Sequence, residues 1–98
     1  MPYLLAFNRR AVEERLARLA GYIGLADASY DGFLAWIVEL RRHLAIPHRL
    51  SDLGVAESDL DRIAAMAEAD PSAGGNPLRF GAPEARSVLD AARAGDCR

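Results

Sequence analysis

The chain has 98 residues and two histidines, His43 and His48. Imidazole is the side chain that shuttles protons near neutral pH and the commonest metal ligand, so these two come first. They stand in "HLAIPH", with Pro47 between them. A helical metal pair needs a spacing of three or four, so that both rings share a face. This pair therefore reads as one helix-end and one loop histidine. The carboxylates are scattered. Glu13 and Glu14 have Arg10, Arg15 and Arg18 as nearby partners, and Asp59 and Asp61 fall near a helix start. These read as solvated faces and dipole partners, not as general acids or bases. Ser29, Ser51 and Ser58 read as caps and turn residues. Ser72 has no identifiable base.

Ser72 lies in "DPSAGGNP", Asp70 to Pro77, which interrupts the helical periodicity. The glycines suggest phosphate binding, but the lysine and hydroxyl of a P-loop are missing. So is the G-x-G-x-x-G spacing of a dinucleotide turn. By residue type this is a stiff connector. Its glycines are expected to supply positive φ or a close backbone approach. The proline after Asn76 fixes an extended turn.

The elements that position these residues are helical. In "RRAVEERLARLAGYIGL", Val12, Leu16, Leu19 and Ile23 share a predicted inner face. Asn8 is the expected cap, two glutamates lie in the early turns, and Gly24 is the stop. In "SYDGFLAWIVELRRHL", Phe33, Ile37, Leu40 and Leu44 recur at helical spacing, and Trp36 widens the stripe. Ser29 caps it, and Pro47 ends it because the residue before a proline avoids the α region. Arg41, Arg42 and His43 suit its last turn. A short turn is expected around Ser51 to Leu53, closed by Gly54. The helix in "ESDLDRIAAMAEAD" places Leu60, Ile63, Ala64 and Ala67 inward, capped by Ser58 or a neighbour. In "APEARSVLDAARAG", Gly81 is the cap, Pro83 and Glu84 occupy the first turn, and Gly95 is the stop. Ala85, Val88, Leu89 and Ala92 form its apolar face.

No alternating strand pattern, internal repeat or low-complexity tract occurs. The expected fold class is all-α: one domain over residues 1–98, a small bundle of about four main helices plus short turns. Composition narrows function by exclusion. Net charge is -2, from 12 arginines and 14 acids, with no basic excess to attract nucleic acid or an anionic membrane. The single cysteine, Cys97, excludes a disulfide framework and suits a reducing compartment. No apolar run is long enough to span a bilayer. "MPYLLAFNRR" reverses the order of a signal peptide, so the expected location is cytoplasmic.

Several segments together resemble the C-terminal helical domain of an iron-containing alcohol dehydrogenase of the group III type. "MPYLLAFN" is similar to the family's leucine-proline, apolar, phenylalanine-asparagine segment, with Met1 where leucine is usual. "HLAIPHRLSDLGV" resembles its leucine-glycine-isoleucine-proline stretch, with Ala45 in place of the common glycine. "DLDRIAAMAEADPSAGGNP" resembles the late helix and the aspartate, glycine, asparagine, proline loop, and "EARSVLDAA" the terminal helix. Order and spacing match from Met1 to about Gly95.

The resemblance implies part of the family's dehydroquinate-synthase-like helical domain. The complete enzymes pair such a domain with an N-terminal α/β domain that binds NAD(P). An aspartate and three histidines hold iron, sometimes zinc, which polarises an alcohol or aldehyde oxygen during hydride transfer. Those four ligands and the nucleotide-binding domain would lie upstream of Met1, and neither His43 nor His48 matches a ligand position. The expectation is therefore no metal, cofactor-binding or catalytic residue in this chain, and no activity alone. By resemblance, Asp70, Pro71, Ser72 and Ala73 line or flank the cleft where substrate meets nicotinamide. Gly74, Gly75, Asn76 and Pro77 set its turn. The expected partner is a missing N-terminal half, or a second copy, meeting an apolar patch at Pro2 to Phe7. The alternative is a stand-alone helical interaction module derived from such an enzyme. A new small enzyme using Ser72 or the histidines is a third reading.

Overall fold

A computed structural model describes residues 1–98. It is all-α, with five helices: α1 (Pro2–Phe7), α2 (Arg9–Tyr22), α3 (Tyr30–His43), α4 (Leu60–Ala69) and α5 (Ala82–Ala94). Three 3-10 turns cover Leu50–Leu53, Glu57–Asp59 and Pro71–Gly75. The chain divides into two units, Met1–Ile46 and Pro47–Arg98.

In the first unit, α1 packs on α2 and α3, and α2 packs on α3. Six residues are too few for a helical period to be read, so α1 has no sequence signature beyond Pro2 in its first turn. Its helical entry changes the role of Asn8. Asn8 sits at the cap position of α2 but makes no side-chain capping bond, and it is buried. The first turn of α2 holds Arg9 and Arg10 rather than acids. Arg9 offsets this by pairing across to α3. It meets both carboxylate oxygens of Asp31 at 3.0 Å, binds Glu13 at 2.9 Å, and lies 4.5 Å over the Tyr30 ring. Glu13 thus pairs with Arg9 and not with the arginines expected from sequence.

The α3 start is built as predicted, with the Ser29 hydroxyl accepting the Gly32 N–H at 2.9 Å. The backbone N–H of position 32 would serve in any residue but proline; glycine is required there by space. A Cβ there would collide with the Asp27 carbonyl and lie 2.8 Å from the Asp27 side chain. The helix ends in a Schellman pattern: the Ile46 N–H reaches the Arg41 carbonyl at 3.0 Å, with Ala45 at φ 54. Glycines occupy the equivalent left-handed positions after α2 and α5, Gly24 and Gly95. Ala45 is the one non-glycine residue with positive φ.

The core of this unit is Ala20, Phe33 and Ile37, with Leu5, Leu16 and Leu25 packed against it. Several predicted inner residues are not inside. Leu19, Ile23, Trp36 and Leu40 are about two-fifths exposed, and Leu44 more so. Ala20, small enough to let the α2 and α3 backbones approach, takes the central place instead. The Pro2 to Phe7 segment is partly inside too: Pro2 and Tyr3 are buried, and Leu4 is exposed.

In the second unit, α4 lies along α5, and the 50–53 turn packs on α5. Leu60, Ala64, Ala85 and Ala92 are buried, with Ile63, Ala67, Val88 and Leu89 partly so, as their spacing predicts. Ser58 does not cap α4. It lies within the 57–59 turn, and Asp59 holds the cap position without a side-chain bond. At α5 the Glu84 carboxylate accepts the Gly81 N–H at 2.9 Å, and Pro83 occupies the first turn. Arg86 projects from α5 to Asp61 on α4 and to Asp90 one turn on, with Glu57 at 3.8 Å. No helix is long and apolar enough to cross a membrane.

Candidate functional site: the Asp70–Pro77 loop

The loop is a single 3-10 turn held between two extended residues. Asp70 (ψ 129) precedes Pro71, and Asn76 (ψ 137) precedes Pro77. Each proline bars the α region to its predecessor, so both ends are extended by local sterics. Between them the Ala73 N–H donates to the Asp70 carbonyl at 3.0 Å, and the Asn76 N–H to the Ala73 carbonyl at 3.2 Å.

Two side chains tighten this frame. One Asp70 carboxylate oxygen accepts both the Ser72 N–H, at 2.8 Å, and the Ser72 hydroxyl. These bonds favour the charged form and hold the carboxyl below its ordinary range, the hydroxyl contributing most. The Asn76 side-chain amide donates to the Leu78 carbonyl at 2.8 Å and closes the following turn. Asp70, Pro71, Ser72, Gly74, Gly75 and Pro77 are exposed, while Ala73 and Asn76 are half-buried.

The glycines overturn the sequence reading. Neither Gly74 nor Gly75 has positive φ. A Cβ on either would meet nothing within 4 Å. The turn needs neither a left-handed residue nor a close approach within the chain at these positions. What the paired glycines do provide is exposed backbone without side-chain cover.

The chemistry available here is limited. Ser72 gives its hydroxyl proton to a carboxylate whose basicity is already reduced. That is a poor base, and no imidazole joins the pair in the hydrogen bonds of the loop. The pair is a turn lock.

The histidines are engaged with backbone. His43 Nδ1 lies 3.2 Å from the Glu39 carbonyl and 3.4 Å from its carboxylate. His48 Nε2 lies 3.0 Å from the Gly95 carbonyl, so it donates to the open end of α5. The Ser51 hydroxyl caps the same end through the Arg93 carbonyl at 3.3 Å. Sequence reasoning missed this pairing, because it joins segments far apart in the chain. The residues do not fit an iron site: no three His, Cys, Asp or Glu side chains are grouped to hold a metal ion.

The comparisons with known proteins follow the same segments. The family model for the C-terminal part of Fe-containing alcohol dehydrogenases matches residues 1–93. An NADPH-dependent butanol dehydrogenase of Clostridium saccharobutylicum is 28% identical over 98 residues, covering 92% of this chain and 25% of the relative. The chain thus spans about a quarter of the length of that curated relative. No solved structure matches it. With the family model covering all five helices up to Arg93 and the loop between α4 and α5, this chain belongs to the Fe-containing alcohol dehydrogenase family, in its C-terminal domain.

Proposed function

We propose that this chain is the helical, substrate-side part of a metal-dependent NAD(P) alcohol dehydrogenase or aldehyde reductase. In this reading the nucleotide site and the metal ligands belong to the remainder of the family polypeptide, which is also its partner. The observation that carries it is the family match over residues 1–93. The relative whose name states NADPH and butanol adds a class of reaction to test.

Within that reading the 70–77 loop is a wall of the substrate cleft. Support comes from its build. Asp70, Ser72 and Asn76 hold the turn through their own hydrogen bonds, and Gly74 and Gly75 leave the backbone bare with no internal need to do so. A wall of this kind shapes the cleft and exposes peptide N–H and C=O groups to what lies beside it. It moves no protons. The metal of the complete enzyme would act as a Lewis acid on the alcohol or aldehyde oxygen.

The 98-residue chain alone is then inactive. The test is to supply the purified chain with iron or zinc, NADPH and butanal, and follow nicotinamide absorbance. The expected rate equals a metal-only blank, and turnover above that blank would sink the reading.

A further inference from the structure

The outer stripe of α3 points to an interface. We propose that Trp36, Leu40 and Leu44 form the surface on which the remainder of the family polypeptide docks.

The apolar stripe of the helix is covered over only part of its width and length. Tyr30, Phe33 and Ile37 are buried within the first unit. Trp36, Leu40 and Leu44 recur every four residues, Leu44 as the residue that caps the helix. At about 100° per residue, Trp36 lies roughly 60° round the axis from Phe33, and Leu40 and Leu44 only roughly 20° from it. They are 40%, 41% and 63% exposed. The packing of α1 and α2 on α3 covers Phe33 and Ile37 and leaves the Trp36 flank and the Leu40–Leu44 end of the stripe open. Trp36 is already half fixed, its ring centroid 5.8 Å from that of Phe33. A rigid aromatic beside two leucines is the composition of an interface core, not of a solvated face.

The occupant follows from length. The chain matches the C-terminal part of its family and spans a quarter of the butanol dehydrogenase, so three further quarters of such a polypeptide exist to furnish the second layer. Its contacting surface must be apolar, because the stripe offers no charged side chain of its own. This inference rests on the proposed function, and it moves the docking surface from the Pro2 to Phe7 patch, where Pro2 and Tyr3 are already covered.

Trp36 is the single tryptophan and reports directly on the stripe. The probe is the butanol dehydrogenase polypeptide lacking the region this chain matches. Adding it is expected to shift Trp36 emission to the blue and protect it from acrylamide. The double variant Leu40→Glu, Leu44→Glu should bind the probe roughly tenfold more weakly or worse. Circular dichroism of that variant must match the parent, and Leu40→Gln alone serves if it does not. Equal binding by the variants would put the interface elsewhere and overturn the inference while leaving the proposed function standing. Absence of probe binding would overturn it as well. Shielding of Trp36 by raised chain concentration, without probe, would assign the stripe to a second copy instead. The turnover assay on the same preparation judges the proposed function separately.

Discussion

The half of the chain before Pro47 and the half from Pro47 onward are both helical, but they treat apolar side chains differently. Nine of the eleven large exposed hydrophobic residues, from Met1 to Ile46, lie in the first half. Only Leu53 and Met66 lie in the second. The second half closes on itself with Leu60 and alanines between α4 and α5, a carboxylate cap at Gly81 and the Arg86 pairs. The first buries a small centre around Ala20, Phe33 and Ile37 and leaves a stripe of α3 outside. The difference teaches that equal hydrophobic patterning does not mean equal self-sufficiency. One half buries most of its large apolar residues, and the other leaves a share of them exposed.

Four measurements break or sharpen that contrast. Leu60→Ala should have the largest effect. Leu60 is completely buried, and such truncations cost roughly 2–5 kcal/mol. Urea unfolding should show it, and a cost under about 1 kcal/mol would mean the second half is less closed than described. Gly32→Ala comes next, at roughly 1–3 kcal/mol, because its methyl group must displace the Asp27 backbone. Thermal melts followed by Trp36 fluorescence would report it.

Ala45→Gly should act in the opposite direction. A non-glycine residue in the left-handed region costs about 1–2 kcal/mol, partly offset by the extra unfolded-chain freedom of glycine. A net gain of about 0.5–1 kcal/mol is expected in the first half, read as a raised melting temperature.

The smallest effect is acid sensitivity in the second half. Asp70 and Glu84 are both held below their ordinary values, Asp70 chiefly by the Ser72 hydroxyl and Glu84 chiefly by the Gly81 N–H. A lowered folded-state value means the contribution is present above the unfolded value. It is lost as pH falls through the folded one. Stability should therefore decline with acidification below the ordinary carboxylate range, and Asp70→Asn with Glu84→Gln should flatten that slope. Asp70 is exposed and Glu84 only half-buried, so the change is a slope in the melting temperature and not a collapse. An unchanged slope in the double variant would show that these two bonds do not set the acid response.

Much of this architecture was legible. The Ser29 cap, the turn closed by Gly54, the Gly81, Pro83 and Glu84 start and the Gly95 stop all depend on bonds within a few residues, and each stands as read. Local chemistry of that kind is written in consecutive letters. The site was legible as a loop bounded by prolines, but the glycines were misread. Positive φ is a frequent use of glycine, and nothing in "SAGGNP" distinguishes a glycine needed by its own turn from one that leaves room.

The sequence by itself determined the all-α class, the four long helices, most of their ends and the membership of its family. Only the tertiary structure decided that Ala20 lies inside and Leu19 outside, that Asn8 closes α1 and stands at the start of α2 without a side-chain capping bond, and that His48 closes α5. Periodicity specifies which side chains share a stripe of a helix. Which flank of that stripe is covered depends on where the neighbouring helices lie, and that information is spread over the whole chain.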